Sequence, residues 1–225
     1  MPVFDQLELW IDPVRRTGPE AMAVDEWLLE TVSCPVLRIY SWAGEWASVG
    51  YFGKISEARQ WFPSLHLVRR WTGGGMVDHR SDWTYTLVVP KGEPLAESKG
   101  AASYQAIHQE LLRTLDREGV DCRMSSGEEA TGAARCFENP VGFDLIGNDG
   151  RKLAGAGQRR SRAGLLHQGS VSIPCGEAVL SSKRAENFAG CLAHCRADFT
   201  EREDAGDLAR RVEARYSCAE WTNRR

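Results

Sequence analysis

A short apolar run at residues 7–11 predicts a strand, and residues 19–32 then read as a helix. Pro19 suits its first turn, and Met22, Trp27, Leu28 and Leu29 give an apolar face. Strand-like runs follow at 36–40, 48–52, 66–70 and 83–89. A second helix is predicted over 101–118, where Tyr104, Ile107, His108, Leu111, Leu112 and Leu115 recur at helical spacing and Gly119 offers a stop. His108 lies on that stripe and reads as a packed histidine rather than a ligand. Residues 125–134 are small and polar, a long loop of the kind that carries function in compact domains, and Cys136 follows it. The turn formers Asn148-Asp149-Gly150 separate two short runs, 143–146 and 151–154, as in a hairpin, and alternation places Lys152, Ala154 and Ala156 on one face. Another strand is expected at 165–173. Helices are expected near 178–188 and over 204–216, the latter with Leu208, Val212 and Tyr216 on one side. Helices interspersed among strands without regular βαβ alternation predict an α+β fold: a mixed, largely antiparallel sheet with flanking helices, in a single domain over residues 1–225.

Composition narrows the functional classes. A net charge of −3 in 225 residues argues against nucleic acid as a partner, because phosphate binding needs a clustered basic surface. Arg69-Arg70 and Arg159-Arg160-Ser161-Arg162 are local basic patches, readable either as docking sites for an acidic protein or ligand or as solvated faces. No run approaches a membrane span and the N-terminus has no signal-like apolar core, so a cytoplasmic protein is expected. Seven scattered cysteines do not make a disulfide framework, and reduced thiols are expected. Cys34, Cys122, Cys175 and Cys218 read as structural. Cys191, His194 and Cys195 would fall on adjacent turns of a helix, but a fourth ligand is missing and no metal site is assigned.

Chemistry concentrates in three segments. Arg69-Arg70-Trp71-Thr72-Gly73-Gly74-Gly75-Met76-Val77-Asp78-His79 joins two predicted strands through three glycines, which let a ligand approach the backbone. It lacks the Gly-Lys-Ser/Thr ending of a P-loop, and Gly155-Ala156-Gly157-Gln158 lacks the third glycine of a dinucleotide fingerprint. Cys136 needs a nearby cation or base to act as a nucleophile, and Lys152, across the predicted hairpin, can supply that charge.

In combination these segments resemble the lipoate-protein ligases and related octanoyltransferases, the biotin/lipoate ligase-like catalytic domains. The glycine segment is similar to that family's Arg-Arg-x-Ser/Thr-Gly-Gly-Gly-x-Val-x-His signature, and Arg151-Lys152-Leu153-Ala154-Gly155-Ala156-Gly157-Gln158 to its lysine-bearing one. Ala21-Met22-Ala23-Val24-Asp25-Glu26 and Tyr216-Ser217-Cys218-Ala219-Glu220-Trp221 also match its pattern. Cys136-Phe137-Glu138-Asn139-Pro140 resembles the Cys-Phe-x-x-Pro motif of the cysteine-dependent octanoyltransferases.

The resemblance implies catalytic roles for Cys136, as nucleophile, and Lys152, at the acyl carbonyl. It implies an acyl tunnel lined by the glycine run, with substrate contacts from Arg70, Thr72, Gly73, Gly74, Gly75, His79, Gly155 and Gln158. The implied donor is octanoyl-acyl carrier protein, and the implied acceptors are lipoyl-domain proteins such as the glycine cleavage H protein and 2-oxo acid dehydrogenase E2. A thioester donor is already activated, so this reading needs no cofactor. Two alternatives stand beside it: a ligase using ATP and Mg through an acyl-adenylate, and a non-catalytic acyl- or lipoyl-domain-binding regulator. The absence of a recognisable C-terminal domain favours transfer over ligation, and the Thr-Gly-Gly-Gly sequence disfavours biotin ligation. Two positions depart from the family pattern. Arg80 replaces an aspartate that often follows the histidine, with Asp82 two places on, and His167 lies one place from the histidine that relatives set before a glycine.

Overall fold

A computed structural model describes residues 2–173, 178–200 and 204–224. The chain runs β1 (Phe4–Ile11), α1 (Gly18–Thr31), β2 (Val36–Tyr40), β3 (Trp46–Val49), α2 (Ile55–Trp61), β4 (His66–Arg69), β5 (Val77–Asp78), β6 (Trp83–Pro90), α3 (Pro94–Glu97), α4 (Gly100–Arg117) and β7 (Cys122–Met124). It continues through β8 (Leu145–Gly147), β9 (Lys152–Ser161), β10 (Gly164–Val171), α5 (Ala178–Leu192), β11 (Ala193–Asp198), α6 (Ala205–Arg211) and α7 (Ala219–Thr222). Eight strands form one sheet in the order β11-β1-β2-β6-β10-β9-β8-β7, and β4-β3-β5 form a smaller one. In the large sheet β1 runs parallel to β11 and β2, and the other neighbours are antiparallel. The expected α+β class, with its largely antiparallel sheet and flanking helices, is therefore what forms.

Strand alternation decides which helix covers which face. From the fully buried β6, Tyr85, Leu87 and Val89 pack with Ile107 and Leu111 of α4 and Phe188 of α5. Val88, pointing the other way, packs with Val24, Trp27 and Leu28 of α1. A central strand buried on both faces is rich in apolar and β-branched residues throughout, which made β6 legible. No described helix is long and apolar enough to cross a membrane.

The differences from expectation have local causes. The strand expected at 48–52 stops at Val49 because Gly50 turns against the glycine run: a Cβ there would lie 2.0 Å from Gly74 O. The strand expected to end at residue 154 continues to Ser161, its interior glycines allowing close approach by neighbouring backbone and side chains. The glycine run joins β4 to the two-residue β5 rather than directly to β6. The helix expected over 204–216 becomes α6 followed by a wider π turn, Val212–Tyr216. Neither β7 nor β11 shows in the apolar pattern. The first has only three residues, and the second is an edge strand exposed after Ala193. Cys191 ends up buried in α5 while His194 and Cys195 lie on β11, so the three do not share a helix. Among the described residues no group of three or more His, Cys, Asp or Glu is placed to hold a metal. Cys175 lies outside the described residues.

Arg69 and Arg70 are buried, which removes them as an exposed docking patch. Arg69 donates to the carbonyls of Gly50, Tyr51 and Gly53 and to those of Trp221, Thr222 and Arg224, tying the C-terminal segment to the glycine-run side of the molecule. Replacing it with methionine leaves those carbonyls without their donor. A loss of about 3 kcal/mol is expected in urea unfolding, and an unmoved midpoint would show that the clamp contributes nothing.

Candidate active site

The loop over residues 125–144 links β7 to β8 and carries Cys136 to the small sheet. There the Cys136 N–H donates to Met76 O at 2.8 Å and the Met76 N–H donates to Ala134 O at 3.1 Å. Gly75 makes this approach possible, since a Cβ on it would sit 2.7 Å from Ala134 O and 3.1 Å from the Cys136 nitrogen. Part of the glycine run is thus a seat for the cysteine segment.

Lys152 opens β9 beside a register shift, where Leu145 pairs with Ala154 but Ile146 pairs with Lys152. The end of its side chain comes round over Gly155 instead of staying with Ala154 and Ala156. A Cβ on Gly155 would lie 2.3 Å from Lys152 Cε. Bulges re-aim side chains in this way. Lys152 Nζ then stands 3.2 Å from Cys136 Sγ and 2.7 Å from Asp144 Oδ2, with Lys152 and Asp144 both buried. Burial works against the ammonium, but the charges of Cys136 and Asp144 outweigh it and raise the lysine above its ordinary pKa.

Cys136 opens on a narrow, partly open cavity lined by Gly155, Ala156 and Gly157 of β9, by Gln168, Gly169 and Ser170 of β10, and by Met22, Tyr40, Trp42 and Val77. Crossing from β9 over β10 and β6 to β2 takes three strand spacings, about 14 Å. Glycines of β9 and β10 stand in this wall. The run lies behind it: Gly157 packs so closely that a Cβ would be 2.3 Å from Gly73 O. Gly74 turns with φ +95, and a side chain on Gly73 would meet nothing within 4 Å.

The remaining expected site residues divide between cavity and support. Arg70 lines the cavity and donates to the carbonyls of Gly73 and Gly75 and to Ser48 Oγ, fixing the run from beneath. His79 also lines it, stacked on Trp42 at 4.2 Å; its Nδ1 donates to Asp82 Oδ2 at 2.8 Å and its Nε2 accepts from Ser48 Oγ at 2.6 Å. Asp82 therefore holds His79, while Arg80 lies exposed on Asp78. Thr72 donates to Gln168 Oε1 at 2.7 Å and serves as support. Gln158 faces away from the cavity at Cys136, bonding Ser103 and His167 beside a second, open cavity that Tyr104 also lines.

Two neighbours carry no signal that the sequence makes readable. Asp144 is marked only by its place at the foot of a strand, and Tyr104 is hidden in an apolar helical stripe although its hydroxyl reaches Asp144 at 2.5 Å. His108 is fully buried, as its place on the stripe predicts, and burial lowers its pKa from 6.5 to about 4. Because the folded state then binds fewer protons than the unfolded chain, His108 withdraws stability as pH falls from 6.5 towards about 4. Burial pushes the Cys122 thiol up to about 11, away from reactivity.

The chain matches the lipoyl protein ligase A/B catalytic domain family over residues 17–205. It is 34% identical to octanoyltransferase LipM of Carboxydothermus hydrogenoformans over 178 residues, 74% of this chain and 66% of that protein. With octanoyltransferase LipM of Bacillus subtilis it shares 31% identity over 194 residues, 78% of this chain and 69% of the other. The chain thus spans roughly two thirds of the length of these relatives. In fold it is similar to a bi-partite lipoate protein ligase of Thermoplasma acidophilum, studied with its E2 lipoyl domain, with a TM-score of 0.74 at 17% identity over 97% of this chain and 96% of that one. It is similar also to lipoate-protein ligase A bound with ATP, with a TM-score of 0.71 at 16% identity over 98% of each chain.

Proposed function

Since the chain belongs to the lipoyl protein ligase A/B catalytic domain family, we propose that it moves an octanoyl group from acyl carrier protein, through a thioester on Cys136, to a lysine of a lipoyl-domain protein. The observation that carries this reading is the Lys152 ammonium 3.2 Å from Cys136 Sγ at a largely apolar cavity. The carrier's thioester carbonyl is attacked by the Cys136 thiolate. The bond to the carrier sulfur breaks, the carrier leaves as thiolate, and the octanoyl group remains on Sγ. An unprotonated lysine amine of the acceptor then attacks that carbonyl, Cys136 leaves as thiolate, the amine proton is lost and an amide is formed.

Lys152 stabilises the thiolate and the oxyanion of each addition, an electrostatic contribution of about 3 kcal/mol in comparable sites. The eight carbons of the chain need about 9 Å when extended, counting about 1.25 Å along the axis per carbon–carbon bond. The residues lining the cavity come from four neighbouring strands, and the chain would lie along that direction. The donor thioester is already activated, and its conversion first to a second thioester and then to the more stable amide consumes no ATP. The H protein and E2 lipoyl domains are the acceptors, and the cytoplasm, where thiols stay reduced, is the setting.

The test is intact-mass measurement after mixing with octanoyl-acyl carrier protein, with and without ATP. An adduct of one octanoyl group, formed without ATP and discharged by apo lipoyl domain, is expected. Transfer that needs ATP and proceeds without a protein adduct would instead establish ligation, and binding without either would establish a regulator.

A further inference from the structure

We propose that Asp144 and Tyr104 are positioning residues for this chemistry, acting on Lys152 and not on substrate, a role that rests on Cys136 being the acyl-bearing nucleophile. A lysine ammonium is a compact charge on a flexible four-carbon stem and has no preferred direction of its own. Gly155 leaves the stem room, and Asp144 supplies the direction.

Both oxygens of Asp144 are committed. Oδ2 takes Lys152 Nζ at 2.7 Å and the Val141 N–H at 2.7 Å, and Oδ1 takes the Tyr104 hydroxyl at 2.5 Å. Tyr104 is held in turn, because its oxygen accepts the Ala156 N–H at 2.8 Å while its proton goes to Asp144. The hydroxyl therefore ties the carboxylate to β9, the strand that starts with Lys152.

One helical turn further along α4, His108 Nδ1 donates to Phe143 O at 2.7 Å. Phe143 is the one described non-glycine residue with positive φ, at 71°, a conformation that needs outside support. Tyr104 and His108, at i and i+4, thus grip the 143–144 joint at adjacent points. A salt bridge serving only to hold α4, β8 and β9 together would have no need to end on the cysteine. Here the same ammonium meets Cys136 Sγ at 3.2 Å.

The charged and titratable groups around Lys152 are Cys136 and Asp144 in direct contact, with Tyr104 and His108 behind Asp144. Arg70 lies beyond Cys136 and interacts with it. With Asp144 made neutral, burial is opposed by Cys136 alone, so the lysine titrates at lower pH and loses its aim.

The experiment compares wild type, Asp144→Asn and Tyr104→Phe in two readouts: the titration of Lys152, followed by NMR of isotope-labelled lysine, and the rate of octanoyl loading onto Cys136. In Asp144→Asn the Lys152 midpoint is expected to fall and the loading rate to drop about tenfold or more, with the KM for the donor within about twofold. Tyr104→Phe is expected to move both in the same direction by less. Wild-type loading in Asp144→Asn, or slow loading with an unmoved Lys152 midpoint, overturns the proposal. Should Asp144→Asn not fold, Tyr104→Phe, which removes a single hydroxyl, decides the question by the same two readouts. If wild type itself takes up no octanoyl group, the transferase reading fails, and the Lys152 titration still tells whether Asp144 controls the lysine.

Discussion

Cys136→Ser is expected to abolish octanoyl transfer while leaving the fold intact. The cysteine's structural bond is made by its main chain, to Met76 O, and its half-buried side chain fills no core cluster, so serine can take the same place. What changes is the nucleophile. A hydroxyl is far harder to ionise than a thiol, and one lysine ammonium does not close that gap. Loss of a nucleophile in comparable enzymes costs about four to six orders of magnitude in turnover. The variant should show no octanoyl adduct by intact mass and no modified lipoyl domain, with an unchanged circular dichroism spectrum. Transfer at more than a hundredth of the wild-type rate would remove Cys136 as nucleophile and return the ATP-dependent reading to first place.

The second large effect is expected at Lys152. In Lys152→Met the stem is kept and the charge removed, so Cys136 loses the ammonium 3.2 Å away that favours its thiolate and the oxyanion. Loss of one such preorganised donor costs about two to three orders of magnitude in rate. A stability cost comes with it, because Asp144 is left buried without its cation, and breaking a buried pair by removing one partner costs about 3–5 kcal/mol. The two consequences separate experimentally. Urea unfolding measures the second, and single-turnover loading, well below the variant's unfolding midpoint, measures the first. A variant that unfolds more easily but loads at the wild-type rate would make Lys152 structural only.

Much of the fold could be read because its signals are local. Residues 101–118 repeat at helical spacing, and α4 forms over Gly100–Arg117. Residues 36–40 and 83–89 are runs rich in β-branched, aromatic and other strand-favouring residues, and β2 and β6 form there with at most one residue of difference. The same locality hid β11, whose exposed edge position leaves no alternation to see, and shortened β9 at Gly155, a residue that reads as a breaker until its neighbours are known. Of the expected site, the pairing of Cys136 with Lys152 was legible as a thiol and a cation flanking one hairpin, and the two side chains meet at 3.2 Å. Arg70 and His79 reach the cavity, Thr72 bonds Gln168 in its wall, and Gln158 faces a second cavity.

By itself, then, the sequence determined which chemistry-bearing residues exist, the succession of most strands and helices, and the family to which the chain belongs. Each depends on neighbours close along the chain or on a motif. Tertiary structure alone decided which way Lys152 points, which glycines make the cavity wall, and that Asp144 and Tyr104 stand behind the lysine. Those facts depend on a register shift between β8 and β9 and on contacts between residues forty positions apart, such as Tyr104 and Asp144, which periodicity does not encode.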